Sequence, residues 1–299
     1  MSRIPQYKPG DFKPILDIDW EEKSAVKKEL NEFFIEPLHI LKDAKTPSQP
    51  HRKTVNDFVF IRKGSIEKMV CSSLFGVEEG MIMMLPPHKI RTFIHNSPDM
   101  EGFYCHFSNE FIAEGPGLKY LQEILNYADI IYDPTLFLDQ EHRERIFVIL
   151  QQMEELYRHN QGLDLIRLYL FTVLGEIRHF IEKLPRPDLS ANEALVFRFR
   201  KLITNQIQNL HSVKEYADLL SVSPNHLNKS IKNATGKTAS EIINEALLME
   251  AKALLSLPHL SVSEIAFTLG VDDVSYFSRF FKKHSGMSPS DYRKGIDLS

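Results

Sequence analysis

Residues Ser261–Arg293 read SVSEIAFTLGVDDVSYFSRFFKKHSGMSPSDYR. The stretch divides into a short helix, a tight turn at Gly270 and a second helix with a basic, polar face. About fifty residues upstream, Ser212–Ile243 reads SVKEYADLLSVSPNHLNKSIKNATGKTASEII, nearly the same statement. Ser212 matches Ser261 and Glu215 matches Glu264, so the Ser-x-x-Glu spacing of a capping box opens each copy. Ala217 matches Ala266, a small residue where helices cross closely. Leu227 and Ile231, at i and i+4, match Phe277 and Phe281 as the inward face of the second helix. Lys229 matches Arg279, Lys232 matches Lys282, Gly236 matches Gly286 and Ser240 matches Ser290. The offset is 49 before the turn and 50 after it, so the second turn is one residue longer.

Two helix-turn-helix copies at a fixed separation are a device for reading DNA in two places. The outward residues suit that chemistry. Asn225, His226, Asn228, Lys229 and Lys232 line the first recognition helix, which Pro224 opens, and Gly236 ends it as a C′ glycine. Ser275, Tyr276, Ser278, Arg279, Lys282 and Lys283 line the second. Asparagine pairs bidentately with adenine, and lysine or arginine reaches guanine or phosphate. Between the copies, Ser240–Ser256 reads as one helix, a rod of roughly 25 Å. That length matches recognition helices about one DNA turn apart. Asn192 is the expected N-cap of a further helix running to about Asn209.

The pieces AKALL, SVSEIA, a glycine turn, SYFSRFFKK, Gly286-x-Ser288-Pro289 and Tyr292-Arg293 closely resemble the signature of the AraC/XylS family of bacterial transcription regulators. The resemblance implies sequence-specific binding to double-stranded DNA near promoters, RNA polymerase as a partner, and often a small-molecule signal. Carried over by position, the base-reading candidates are Asn225, Asn228, Lys229, Ser275, Tyr276, Ser278 and Arg279, with phosphate contacts from Lys232, Lys282 and the helix N-termini. The chain departs from the family at Leu247 and Glu245, where basic residues are usual, at Val271 after the turn glycine, and at Lys229, where arginine is frequent.

Upstream, Leu184-Pro185-Arg186-Pro187 interrupts every helical pattern and marks a linker over 185–191. It separates a C-terminal all-α domain, 192–299, from an N-terminal domain, 1–184, so the fold class is α+β. From Asp57 onward short alternating runs, punctuated by Gly64, Gly76, Gly80, Pro86-Pro87 and Gly102, predict an antiparallel sandwich or barrel. Gly80–His88 resembles the glycine-acid, apolar, proline, histidine turn of the cupin barrels used as sensors in regulators, with Met81 where an acidic residue is common. We expect a cupin-like barrel over about 50–115 and helices over about 117–184, preceded by a surface helix over 20–34. Phe58, Phe60, Phe93, Tyr104 and His88 are candidates for lining a small-molecule pocket, against the reading that they are core. His51, His88, His95 and His106 lack the H-x-H spacing of a cupin metal site, so no metal or other cofactor is expected.

In the helical part, Leu163, Ile166, Leu170, Val173, Ile177, Phe180 and Leu184 repeat at steps of 3 and 4. The spacing is that of a coiled-coil seam, and Leu165, Leu168, Phe171, Leu174 and Ile181 add a second apolar side. A homodimer through this helix is expected, against a helix buried wholly within one protomer.

Net charge is −4, and residues 188–299 hold 13 Lys+Arg against 12 Asp+Glu. The DNA reading therefore rests on where the cations sit and not on their number. Two cysteines, Cys71 and Cys105, are too few for a disulfide scaffold and suit a reducing compartment. No apolar run approaches the roughly 18 residues of a membrane span, and the first residues carry no secretory h-region, so a cytoplasmic location is expected. The competing classes are a cupin-type enzyme with an appended helical domain, which needs a metal triad, and a protein-interaction regulator that no longer binds DNA. An enzyme is not expected.

Overall fold

Eight of the N-terminal strands form two antiparallel sheets. The computed structural model describes residues 6–7, 32–41, 46–48, 50–71, 73–131, 133–159, 161–185, 190–255, 257 and 260–297. The strands are β1 (Gln6–Tyr7), β2 (Phe33–Pro37), β3 (Arg52–Lys53), β4 (Asn56–Lys63), β5 (Ser65–Val70), β6 (Ser73–Glu78), β7 (Met81–Leu85), β8 (Arg91–Asn96), β9 (Glu101–Phe107) and β10 (Thr135–Phe137). One sheet has the order β10-β7-β4-β9-β2 and the other β6-β5-β8, while β1 pairs with β3 in parallel. Hydrogen bonding thus divides the strands into separate sheets and does not close them into the expected cupin barrel. Two strands also lie outside the expected 50–115. Phe33-Phe34-Ile35 joins the sheet edge on β9, and Thr135–Phe137 joins the opposite edge on β7. The surface helix expected over 20–34 falls outside the described residues as far as 31, and its last two residues, Phe33 and Phe34, belong to β2.

Strand alternation sorts the aromatic residues onto two faces. Phe58 and Phe60 share one face of β4, where Phe60 meets Phe147 of the helical layer with ring centroids 6.2 Å apart. Phe93 and Tyr104 face the other way, into the space between the two sheets, where both lie against the ammonium of Lys68. His88 is exposed on the loop after β7, with φ at +67°. The five pocket candidates are therefore not brought together. Met83 and Met84 are buried core.

The helical layer comprises α1 (Gly117–Ile131), α2 (Gln140–Arg158) and α3 (Leu163–Lys183). Asp139 caps α2, accepting from the His142 amide at 2.8 Å. The heptad seam of α3 is spent within the protomer. Ile166, Leu170, Val173, Ile177 and Phe180 are buried in the core shared by the sheets and helices, with α3 packed on both α1 and α2. Leu174, from the second apolar side, is buried as well, and that leaves Leu165 and Leu168 exposed. The repeat of 3 and 4 fits an antiparallel helix neighbour as well as a second subunit, so seam regularity alone does not identify the partner.

The C-terminal domain holds α4 (Ala191–Gln206), α5 (Val213–Leu219), α6 (Pro224–Thr235), α7 (Ala239–Leu255), α8 (Val262–Thr268), α9 (Val274–Ser285) and α10 (Pro289–Asp297). The cap of α4 is Ser190, two residues before the expected Asn192, with Glu193 completing its capping box. Asn192 instead accepts a hydrogen bond from Ser230 on α6. Ile90, from the loop between β7 and β8, joins the apolar core of this domain, and Arg52 pairs with Glu250 of α7. Around these contacts a cleft of about 850 Å³ runs between the two domains, lined by residues such as Cys71, Leu74, His88, Arg200, Thr204 and Met249. No helix among the described residues is long and apolar enough to cross a membrane.

Two measurements follow from this architecture. In the turn of the second motif Gly270 has φ at +67°, and a Cβ there would stand 2.8 Å from the Gln208 carbonyl. Ser221 occupies the matching place with φ at +56°. Left-handed geometry costs a non-glycine residue about 1–2 kcal/mol, so Gly270→Ala lowers unfolding free energy by at least that amount. Ser221→Gly raises it by a few tenths to about 1 kcal/mol, once the entropy of glycine is subtracted. Chemical denaturation reads both.

The second concerns pH. Between the sheets, burial pulls the Lys68 ammonium down to about 7 and that of Lys53 down to about 8, against the opposing charge of Asp57. From about pH 7 upward the unfolded chain then binds more protons at these lysines than the folded one, and stability rises with pH. Burial, reinforced by Asp57, holds the Cys105 thiol and the Tyr104 hydroxyl well above their ordinary values of 9.0 and 10.0. These two groups offset the trend as the unfolded chain loses those protons, and they outweigh it once the unfolded lysines begin to lose theirs. A melting-temperature profile is expected to climb from pH 7 to about pH 10 and fall beyond it.

Candidate nucleic-acid interface

The duplication seen in the sequence recurs as hydrogen bonds. In the first motif the Ser212 hydroxyl accepts from the Glu215 amide at 3.3 Å, and the Glu215 carboxylate accepts from the Ser212 amide at 2.9 Å. In the second the same bonds join Ser261 and Glu264 at 3.2 and 2.8 Å. Hydrogen bonds from the Ser212 side chain and backbone hold the Glu215 carboxyl below its usual range, so it is charged and aligned with the helix dipole. The turns also superpose. Ser221 donates to the Asp218 carbonyl and Val222 to that of Ala217, while Gly270 donates to Phe267 and Val271 to Ala266. The extra residue of the second copy, Asp272, therefore falls after the turn and before the cap of α9.

Each recognition helix then starts on its own cap. Ser223 accepts from the His226 amide at 3.2 Å. Asp273 accepts from the Ser275 and Tyr276 amides at 2.8 and 3.0 Å. These N-terminal amides are already bonded, and a carboxylate sits at the start of α9. That arrangement disfavours the expected phosphate contact at the helix N-terminus and leaves phosphate to the lysines.

The inward faces hold the helices in place. Leu227, Ile231, Phe277 and Phe281 are fully buried. Both recognition helices pack on α7, and α6 packs also on α4. Phe281 meets Tyr292 edge-on at 5.5 Å, and burial raises the Tyr292 hydroxyl to about 12. Arg293, beside it, donates to the Leu255 carbonyl at the C-terminus of α7. The Tyr-Arg pair of the sequence signature is thus a clamp between the second motif and the connecting helix. Its role was not visible from spacing alone. The departure at Leu247 is equally structural, since Leu247 is buried, and Glu245 pairs with Lys237 at 2.6 Å.

The outward faces are as expected. Asn225, His226, Lys229 and Lys232 on α6 are exposed, as are Ser275, Tyr276, Arg279, Lys282 and Lys283 on α9. Asn228 and Ser278, at matching positions, are half-buried. The Asn228 side-chain oxygen accepts from the Ala239 amide at 2.9 Å, which caps the start of α7. One of its two hydrogen-bonding groups is therefore committed to the fold, and the bidentate adenine contact expected of it is available only to Asn225. Asn228→Ala should accordingly lower stability by about 1 kcal/mol, within the range for a lost cap, while Asn225→Ala leaves it unchanged. Thermal unfolding of the two variants separates them.

A family model described as a helix-turn-helix domain matches residues 216–295. YisR, an HTH-type transcriptional regulator of Bacillus subtilis, is 25% identical over 250 residues, which are 81% of this chain and 86% of that protein. The arabinose operon regulatory protein of Salmonella typhimurium is 24% identical over 239 residues, 77% of this chain and 78% of that one. Among solved structures, ToxT from Vibrio cholerae O395 is 13% identical, with a TM-score of 0.40, over 89% of this chain and 97% of that one. With two motifs repeated around one connecting helix, and relatives that span most of its length and are transcriptional regulators, the chain is a DNA-binding transcription regulator whose C-terminal helix-turn-helix domain is of the AraC type.

Proposed function

We propose that α6 and α9 enter two successive major-groove segments on one face of a duplex, with α7 setting their separation. The observation that carries this reading is the repeated exposed pair of cations, Lys229 and Lys232 on α6 and Arg279 and Lys282 on α9, each at the same place on a helix whose inner face is seated on α7. The 17 residues of α7 make a rod of about 25 Å. Arg279 and Asn225 read base edges, Lys229 contributes a single charged donor, and Lys232, Lys282 and Lys283 meet phosphate.

The N-terminal domain, with its two facing cupin-like sheets, takes a small-molecule effector and reports it to the DNA-binding domain across the seam at Ile90 and Arg52. A second copy and RNA polymerase complete the assembly at a promoter. With the heptad seam of α3 buried, Leu165 and Leu168 are the part of that helix left to meet the second copy.

Electrophoretic shift on fragments of upstream genomic DNA tests the reading. Arg279→Ala is expected to weaken binding about tenfold to a hundredfold. Lys232→Ala and Lys282→Ala each lower the slope of log affinity against log salt by about 1. No salt-dependent binding to any fragment, or unchanged affinity in Arg279→Ala, contradicts it.

A further inference from the structure

The side chains that DNA binding leaves unused converge between the two sheets of the N-terminal domain. Asp57 on β4, Lys53 on β3, Lys68 on β5 and Arg91 on β8 are each no more than 1% exposed. Among the described residues, three cations thus face one carboxylate. Arg91 Nη1 lies 2.6 Å from Asp57 Oδ2, Lys53 Nζ lies 2.9 Å from Oδ1, and Lys68 Nζ lies 3.8 Å from Oδ2. The Tyr104 hydroxyl donates to Oδ1 at 2.9 Å and also meets Lys53 Nζ. Lys68 Nζ makes no hydrogen bond and lies over the rings of Phe93 and Tyr104, 4.3 and 5.5 Å from their centroids.

Such a cluster is costly as a purely structural device. Burying an ion without its counter-ion costs several kcal/mol, and apolar residues of the same volume do the packing at no such penalty. Burial opposes ionisation of Asp57, yet Lys53, Arg91 and Lys68 together hold its carboxyl well below the usual range. The carboxylate is therefore fully charged, and with Arg91 on its Oδ2 it leaves Lys68 Nζ without a close counter-ion or a hydrogen bond. A buried, aromatic-walled place where the Lys68 ammonium has no hydrogen-bond acceptor suits a small anion.

The cluster is also wired to the DNA-binding domain. The Arg91 guanidinium donates to the Pro86 carbonyl at 2.7 Å and to that of Lys89 at 3.2 Å. The loop it grips carries Ile90 into the apolar core of the DNA-binding domain. The amide of His88, in the same loop, donates to the Lys53 carbonyl at 2.9 Å. Arg52, the neighbour of Lys53, pairs with Glu250 on α7. Two of the three cations are thus anchored beside the contacts that join the domains.

We propose that Lys68 and Arg91 form a binding site for a small carboxylate or phosphate anion, and that Arg91 relays its occupancy through the Pro86–Ile90 loop to the DNA-binding domain. The proposal rests on the reading of the N-terminal domain as an effector-binding domain and names the class of effector. The anion accepts from Lys68 Nζ and shares Arg91 with Asp57, which alters the grip of the guanidinium on the loop.

The test uses the full chain, with sodium acetate and inorganic phosphate as probes and acetamide as the uncharged counterpart of acetate, at ionic strength held constant with sodium chloride. Acetate or phosphate should raise the melting temperature saturably, as binding to the folded state alone requires, and acetamide should not. Which of the two acts identifies the head group. In Lys68→Met the apparent affinity falls at least about tenfold, a loss of about 1.4 kcal/mol, whereas Lys68→Arg, which keeps the charge, retains most of it. The probe that binds should also change DNA affinity in an electrophoretic shift. Absence of a shift with both anions, or one equal in Lys68→Met, overturns the proposal. An equal response to acetamide overturns the anionic class and leaves an effector-binding domain standing. Binding without any change in DNA affinity overturns the relay. The comparison of acetate with acetamide in the unmodified protein stands even if Lys68→Met fails to fold.

Discussion

The seating of two recognition helices on one helix is the constraint on which the regulator depends. Leu227 and Ile231 of α6, and Phe277 and Phe281 of α9, are buried against a core that α7 runs through from end to end. Because both motifs share α7, neither can rotate without disturbing the other. Cores packed this densely are stiff, so the separation and phase of the two outward faces are fixed before DNA is met. The clamp of Tyr292 on Phe281 and of Arg293 on the end of α7 closes the second motif, and Asn228 closes the first by capping the start of α7. The two copies are thus tied to the rod at opposite ends by different side chains.

Among the described residues, the link between the two domains includes Ile90, set in the apolar core of the DNA-binding domain, and the ion pair of Arg52 with Glu250, beside a cleft. Glu250 is buried, and burial raises its carboxyl above the usual range despite the neighbouring arginine. A charge pair held in such a place is sensitive to small movements of the segment that carries Arg52. The same short segment, β3, supplies Lys53 to the buried cluster. Interaction energy in the N-terminal domain and the orientation of the DNA-binding domain therefore meet within a few residues.

Much of the C-terminal domain was legible in the sequence, because its information is local. Ser-x-x-Glu boxes, Pro224 at the start of α6 and glycines at φ-positive ends each determine backbone geometry within one turn. Repetition at an offset of 49–50 residues confirmed each reading twice. Exposure of Lys229, Lys232, Arg279 and Lys282 followed from the inward spacing of their neighbours. The placement of Asn228 and Arg293 was not legible, since their partners lie 11 and 38 residues away in sequence. In the N-terminal domain alternation located strands but not their pairing, and Phe58 and Phe93 read alike although they face opposite ways. The seam of α3 showed the same limit: period 3.5 reveals an apolar face and not which helix covers it. Nothing in the chain order of Lys53, Asp57, Lys68 and Arg91 marks them as one cluster, for sheet register alone joins them.

The central claim, that two rigidly spaced helices read one face of the duplex, is tested most directly by hydroxyl-radical footprinting on a fragment the protein binds. The account predicts two protected patches on the same face, about 10 base pairs apart centre to centre, with Lys229→Ala weakening one and Arg279→Ala the other. A single protected patch, or two patches whose spacing varies between binding sites, would contradict it.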